Sequence, residues 1–219
     1  MVGTGASAIQ FVPEVAKQAA QLDIYQRSAP WILHKFDREY PEWEKRFFLR
    51  FPARVALSRR FFFSVFELLT YGFTGRHWLL KPMMKAANAY RKKELGEHPE
   101  LHAKATPDYD IGCKRALFTN DWYPTLKRSN VELVHGDAPR VTATGLIDSE
   151  GRERPADVII WGTGFKPLDF VAPMEVYGLE GHELSETWAG RPEAYLGTTV
   201  SGFPNMFIMP KVMAEYGTV

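Results

Sequence analysis

Only one cysteine, Cys113, occurs in the 219 residues of this chain, which excludes an internal disulfide and a cysteine-rich zinc site and fits a reducing cytosol. Charge of one sign is also missing: 27 Lys and Arg face 26 Asp and Glu, leaving a net charge of +1. That balance gives no electrostatic footprint for nucleic acid and sets aside a polybasic membrane-binding protein as the first reading. The longest apolar run, Phe61 to Phe73, holds Glu67 and falls short of the ~20 residues that span a bilayer, so no transmembrane segment is expected. No basic stretch followed by an apolar one opens the chain, so no secretory signal is read there. The six histidines (His34, His77, His98, His102, His135 and His182) lack close metal-ligand spacing. His98 and His102 are four apart, but Pro99 argues against an ordinary helix there, and no metal site is expected. Cys113 has no base near it in sequence and reads as a small packed residue rather than a nucleophile. What remains, 45% hydrophobic and 24% charged, is the composition of an ordered soluble domain.

A glycine-rich turn begins at residue 3. Gly3-x-Gly5-x-x-Ala8 matches the dinucleotide fingerprint: Gly3 permits a tight turn, Gly5 lets the backbone approach a pyrophosphate, and a small Ala8 allows close helix–strand packing. The N–H groups of the turn and helix start, over Gly3, Thr4, Gly5, Ala6, Ser7 and Ala8, are the expected phosphate contacts, with the helix dipole favouring negative charge. Such a turn ordinarily follows a buried strand of about five residues. Met1-Val2 alone cannot make a central parallel strand, so the chain reads as an internal piece of a longer protein. Ile9, Val12, Val15, Ala16 and Ala19 then recur at helical spacing within Ala6 to Leu22, where Pro13 predicts a kink or a late helix start. Asp23 to Arg27 reads as a strand closed by Ser28-Ala29-Pro30, completing a βαβ unit.

The end of that strand distinguishes cofactors. An acidic residue there would bond the ribose 2′-hydroxyl of NAD, whereas Arg accommodates the 2′-phosphate of NADP. Asp23 lies at the strand's beginning and Arg27 at its end, with Ser28 beside it. Arg27 offers a charge-assisted fork and Ser28 a hydroxyl, so NADP is the better fit; the alternative is an Arg27 that is merely solvated.

From Trp31 to Pro107 alternating runs disappear and aromatics mix with cations, as in Arg46-Phe47-Phe48-Leu49-Arg50-Phe51 and Arg59-Arg60-Phe61-Phe62-Phe63. The stretch reads as an all-helical insertion with Gly72, Gly75 and Pro82 as breakers. Two readings of its aromatic segments stand: a helix-packing core with arginines on the wet face, or a membrane-surface or substrate-facing element. Strand patterns return at Val131 to Val134 and at Arg140 to Asp148, a hairpin with Gly151. Ala156 to Trp161 reads as a strand buried on both faces and ends in Gly162-Thr163-Gly164-Phe165. Tyr195 to Val200 and Met206 to Met209 read as further short strands.

Several segments closely resemble the NADPH-binding half of Baeyer–Villiger flavin monooxygenases: Val2 to Gln10, then Tyr25-Gln26-Arg27-Ser28-Ala29-Pro30-Trp31, then Tyr109-Asp110-Ile111-Gly112-Cys113-Lys114-Arg115 followed by Thr119-Asn120-Asp121-Trp122-Tyr123-Pro124. Asp157 to Phe165 is similar to the family's second linker motif, and Gly202-Phe203-Pro204-Asn205-Met206-Phe207 to its late stretch. The resemblance runs from residue 2 to about residue 209 at family spacing, loosest in the helical insertion.

The resemblance implies an enzyme with FAD and NADP as cofactors: NADPH reduces FAD, O₂ adds to give a C4a-peroxyflavin, and this inserts oxygen into a ketone or other carbonyl substrate. It implies that Arg115 holds the peroxy anion as the catalytic residue, because a permanently charged guanidinium stabilises the anion without protonating it. It carries Lys114 over as a second contact to the 2′-phosphate, and gives Gly162, Thr163 and Gly164 a structural role near the cofactor. The nearest rivals are an N- or S-oxygenating flavin monooxygenase, which Lys114-Arg115 disfavours, and a non-catalytic NADP-binding remnant.

The sequence departs from the family in three ways. It holds one glycine fingerprint where the family has two, lacks the F-x-G-x-x-x-H-x-x-x-W-P signature, and has Met209-Pro210-Lys211-Val212-Met213 where the family continues toward the flavin. The expected architecture is therefore α/β: a Rossmann-like NADP-binding domain over residues 1–33 and 108–157, a helical insertion over 34–107, and partial FAD-domain strands over 158–219. In such a truncated two-dinucleotide-domain flavoprotein, the fragment alone is expected to bind FAD poorly and to be inactive. A cytoplasmic location, no nucleic-acid partner and at most a weak peripheral membrane contact through the basic aromatic insertion complete the expectation.

Overall fold

The computed structural model describes residues 1–136, 140–164, 171, 173–189 and 191–208. Phe165, Met209 and the 210–213 segment, which the motif readings include, lie outside the described residues. The chain divides into two compact units, Met1–Thr163 and Gly164–Val219.

The first unit is built on a small parallel sheet. Helix α1 (Ala8–Gln18) buries Ala8, Ile9, Val12, Pro13 and Ala16, the face that three-and-four spacing sets. It starts two residues later than the periodicity suggests and runs through Pro13. Its C-terminal carbonyls, orphaned by helix geometry, are satisfied by the Asn130 side-chain amide, which donates to Ala16 O (2.9 Å) and Ala19 O (2.8 Å). Strand β1 (Leu22–Gln26) then pairs in parallel with β4 (Val131–His135), from Leu22 opposite Val131 to Gln26 opposite His135.

On the other side of β1 lies Met1–Gly3. Tyr25 N–H donates to Met1 O (2.9 Å) and Gly3 N–H to Tyr25 O (3.0 Å), while Val2 N–H donates to Ile160 O (2.9 Å) and Gly162 N–H to Val2 O (2.8 Å). The three-residue stub therefore holds the central position between β1 and Trp161, though only as isolated bridges at Val2. This corrects the expectation for Ala156 to Trp161. That segment forms one bridge rather than a buried strand, with Val158 72% and Trp161 52% exposed. A stub that pairs through Val2 alone offers too few ladder bonds to extend it.

Strand β2 (Ile32–Leu33) pairs in parallel with β3 (Leu117–Phe118), a short ladder that the periodicity does not reveal. Between them run α2 (Glu42–Arg50), α3 (Pro52–Phe73), a 3₁₀ turn (His77–Leu80), α4 (Lys81–Leu95) and α5 (Pro99–Lys104). Helix α4 fastens this insertion to the sheet through buried Ala87, Tyr90 and Leu95. The Tyr90 hydroxyl donates toward the Thr119 and Asn120 carbonyls, and burial pushes its pKa up to about 12, so it stays protonated in that role. Pro99 begins α5 rather than blocking it, because proline suits the first helical position, whose N–H needs no partner. Among the described residues no cluster of His, Cys, Asp and Glu is arranged to hold a metal ion.

Helix α6 (Trp122–Leu126) buries Trp122 and Tyr123 in the main core with Ile9, Val12, Ile24 and Leu133. The expected hairpin is one half of a three-stranded antiparallel meander, β5 (Arg140–Val141), β6 (Gly145–Ile147) and β7 (Glu153–Pro155). Arg154 on β7 ties the meander to the parallel sheet, donating to Asp148 (3.1 Å), Asp23 (3.2 Å) and Glu132 (2.6 Å).

The second unit packs Leu184, Trp188 and Phe203 into a small core around α7 (Leu184–Trp188). Its expected strands are also corrected: Tyr195–Thr199 and Thr199–Phe207 meet only as single bridges. Leu196 (φ +51°) and Gly197 (φ +69°) both sit in the left-handed region and turn the chain back on itself where a strand would stay extended.

Candidate functional site

The glycine turn joins the central stub to α1. Gly3 has φ +103°, and a Cβ there would overlap the carbonyl of Gly162, so both the conformation and the close approach require glycine. Among the described residues, none of the backbone N–H groups of Thr4, Gly5, Ala6, Ser7 and Ala8 donates to a backbone carbonyl. Ser7 adopts helical angles and makes no side-chain cap. The turn thus presents unsatisfied donors at the positive end of an 11-residue helix, an arrangement that suits a phosphate. Thr4 and Ala8 are buried, Ala6 is half-buried, and Gly5 and Ser7 face solvent.

At the end of β1, two distant segments meet. The β2–β3 ladder brings the chain after Ser28 alongside the chain after Tyr109: Trp31 Nε1–H donates to Tyr109 O (2.9 Å) and Leu117 N–H to Trp31 O (2.8 Å). Asn120 locks the same junction, accepting from Lys35 N–H and donating to Lys35 O, both at 2.8 Å. Lys114 Nζ consequently donates to Ser28 Oγ at 2.6 Å, across 86 positions of sequence, and lies 4.5 Å from the centre of the Tyr109 ring. Burial raises the Tyr109 phenol above its ordinary range, so the ring is a neutral platform for the ammonium. Arg27, the next residue after β1, is exposed and makes no hydrogen bond or ion pair among the described residues. The positioning of Lys114 by Tyr109 is a feature the residue pattern alone did not disclose, although Tyr109 lies in the same quoted segment.

The remaining expected residues fall as follows. Arg115 is exposed beside Lys114. Gly162 packs against the stub, where its own Cβ would meet the Met1 side chain, and Thr163 is exposed. Gly164, at φ +89°, opens the second unit. Cys113, which follows a turn at Gly112 (φ +106°), is exposed rather than packed.

The amides of the turn and the cation–hydroxyl pair at the strand end are chemically suited to the phosphates of an NADP molecule. The sequence holds one glycine fingerprint, and a second dinucleotide such as FAD would call for a second phosphate cradle.

No protein-family model matches the chain. Among curated proteins it is 45% identical over 209 residues to a Baeyer–Villiger monooxygenase of Pseudomonas aeruginosa, covering 95% of this chain and 40% of that protein. It is 38% identical to a Baeyer–Villiger monooxygenase of Streptomyces coelicolor, over 94% of this chain and 39% of that one. Among solved structures it superposes on OTEMO in complex with FAD and NADP with a TM-score of 0.70 at 26% identity, covering 94% of this chain and 45% of that one. In fold the chain is therefore similar to part of the flavoprotein monooxygenases with two dinucleotide-binding domains. In sequence it is similar to a segment of Baeyer–Villiger monooxygenases, and it spans about two fifths of the length of the curated relatives it matches.

Proposed function

We propose that this chain is the NADP-binding part of an FAD- and NADPH-dependent monooxygenase that uses O₂ to insert an oxygen atom next to the carbonyl of a ketone. Residues 1–33 and 108–157 would form the nucleotide domain, 34–107 the helical insertion, and 158–219 part of the flavin domain. The observation that carries the reading is the Lys114–Ser28 contact at 2.6 Å, which joins the lysine–arginine pair to the end of β1 beside Arg27. Three groups that favour a phosphate over a hydroxyl thereby gather where the adenosine ribose of a dinucleotide sits in this fold.

In this assignment the amides of Thr4 to Ala8 hold the pyrophosphate, and Arg27, Ser28 and Lys114 hold the 2′-phosphate. Gly3 and Gly162 keep the turn close against the sheet, with Thr163 and Gly164 continuing the chain beyond it. When bound in the complete enzyme, FAD supplies the acceptor for the nicotinamide hydride and the site of oxygen activation. Arg115 contributes a charge that it cannot lose as a proton, which stabilises negative oxygen without quenching its nucleophilicity. That property favours oxygen insertion into a carbonyl over oxygenation of nitrogen or sulfur, which calls for a protonated oxidant.

Among the described residues no helix is long and apolar enough to cross a membrane. The exposed, unpaired Cys113 suits a reducing compartment, and we place the protein in the cytoplasm. Calorimetric titration of the chain with NADP⁺ and with NAD⁺ tests the nucleotide assignment. NADP⁺ is expected to bind at least ~10-fold more tightly, the worth of one good charge-assisted hydrogen bond. Equal affinities would remove the 2′-phosphate site.

A further inference from the structure

Between Arg46 and Phe66 the sequence holds five arginines (Arg46, Arg50, Arg54, Arg59 and Arg60) and no acidic residue, in a chain whose net charge is only +1. None of the five meets a carboxylate among the described residues. The same stretch carries exposed Phe47, Leu49, Phe51, Phe61, Phe62, Phe63 and Phe66. Helix α2 has no buried residue and α3 has only Gly72, which packs near Leu80 at the helix's far end. Every residue from Phe51 to Leu68 is exposed. Most of a 22-residue helix thus stands clear of the fold, apolar and basic at once.

The arrangement of the apolar residues identifies what can cover them. At about 100° per residue, Phe61, Phe62 and Phe63 spread over roughly 200° of the helix circumference. A folded partner presenting one groove would reach one side of the helix and leave the other phenyl rings wet. A lipid interface has no such restriction, because a helix lying in it is surrounded by acyl chains below and beside it, while long guanidinium side chains reach out to the headgroups. The five unpaired arginines complement a negative headgroup layer. Trp43, in the first turn of α2, and Trp78, just beyond α3, are both exposed and carry the amphipathic rings that prefer that layer. No described helix is apolar enough to span a bilayer, so the mode is lying on the surface.

We propose that α2 and α3 form an interfacial platform that seats the protein on the surface of an anionic phospholipid bilayer. The proposal is independent of the monooxygenase reading, since no residue of the nucleotide site takes part.

Sedimentation of the 219-residue chain with vesicles of phosphatidylcholine alone, or with about one third phosphatidylserine, tests it. Binding to the anionic vesicles is expected to be at least ~10-fold stronger and to weaken as salt is raised from about 0.1 to 0.5 M. The triple variant Arg54→Gln, Arg59→Gln, Arg60→Gln should lose that preference. The variant Phe61→Ser, Phe62→Ser, Phe63→Ser should lose binding to both vesicle types, with circular dichroism and NADP⁺ affinity unchanged. No binding to anionic vesicles, or binding that neither variant reduces, overturns the proposal. So does a sedimentation-equilibrium result in which the chain self-associates through these phenylalanines, or their burial only on mixing with the flavin-binding part of a relative.

Discussion

Lys114 and Arg27 approach the end of β1 from very different places in the chain, and their value depends on their remaining unpaired with carboxylates. Lys114 is held by a neutral hydroxyl and a neutral ring, Ser28 and Tyr109, so its charge is oriented without being cancelled. Arg27→Ala and Lys114→Met should each weaken NADP⁺ by ~10–100-fold, as expected for a lost hydrogen bond to a charged group, and change NAD⁺ by less than about 3-fold. Isothermal titration of each variant reads both numbers, and equal losses for the two nucleotides would count against the assignment. Arg154 illustrates the opposite use of a cation. Its mostly buried guanidinium is surrounded by Asp23, Glu132 and Asp148 and joins the meander to the parallel sheet. The hydrogen bond from Arg154 holds the Glu132 carboxyl below its ordinary range against the opposing effect of its burial. The stability this supplies is complete above the unfolded glutamate value of ~4.3 and is lost as pH falls through the lower folded value. Melting curves should therefore fall steeply on acidification below about pH 4. Arg154→Met should lower the melting temperature at pH 7 by about 5–10 °C and flatten that acid dependence.

Among the elements, the contrast between α1 and α3 is one of attachment. Helix α1 buries five residues and has its C-terminal carbonyls met by Asn130, whereas α3 buries Gly72 alone and half-buries Leu69 near the same end. Helices in water owe most of their stability to packing, not to propensity. Hydrogen exchange monitored by mass spectrometry should find the amides of residues 55–68 exchanging at least ~100-fold faster than those of α1 and β1, since local opening there exposes almost nothing new. Added anionic vesicles should slow exchange in 55–68 and leave α1 unchanged. The helix of α1 was legible because its apolar spacing is regular, and β1 because it lies between that helix and a turn. The strand expected over Ala156 to Trp161 is reduced to one bridge for a physical reason. A run of apolar residues reports the capacity to be buried on both faces, while strand formation needs a neighbour long enough to pair with, and Val2 is a single bridge. Pro99 differs in the other direction: a breaker by residue type, it stands where a helix can begin.

For the molecule as a whole, the sequence holds one glycine fingerprint, whereas the proposed chemistry would need two dinucleotides. The purified chain should carry no stoichiometric flavin absorbance and should consume no O₂ with NADPH and a ketone, yet bind NADP⁺. Stoichiometric FAD with ketone-dependent turnover would overturn the division of labour proposed for it. Residue types at close spacing established the glycine turn, the basic residue closing β1 and the helical character of the insertion, because each depends on backbone geometry within a few residues. Folding in three dimensions alone decided that Ser28 accepts from Lys114, that Gly162 abuts Gly3, and that Cys113 faces water. These contacts join segments far apart in the chain or turn on the path of one loop, and no local periodicity encodes them. The β2–β3 ladder that creates the first of them is only two residues long on each side, too short to leave a pattern, yet it sets where the cations stand.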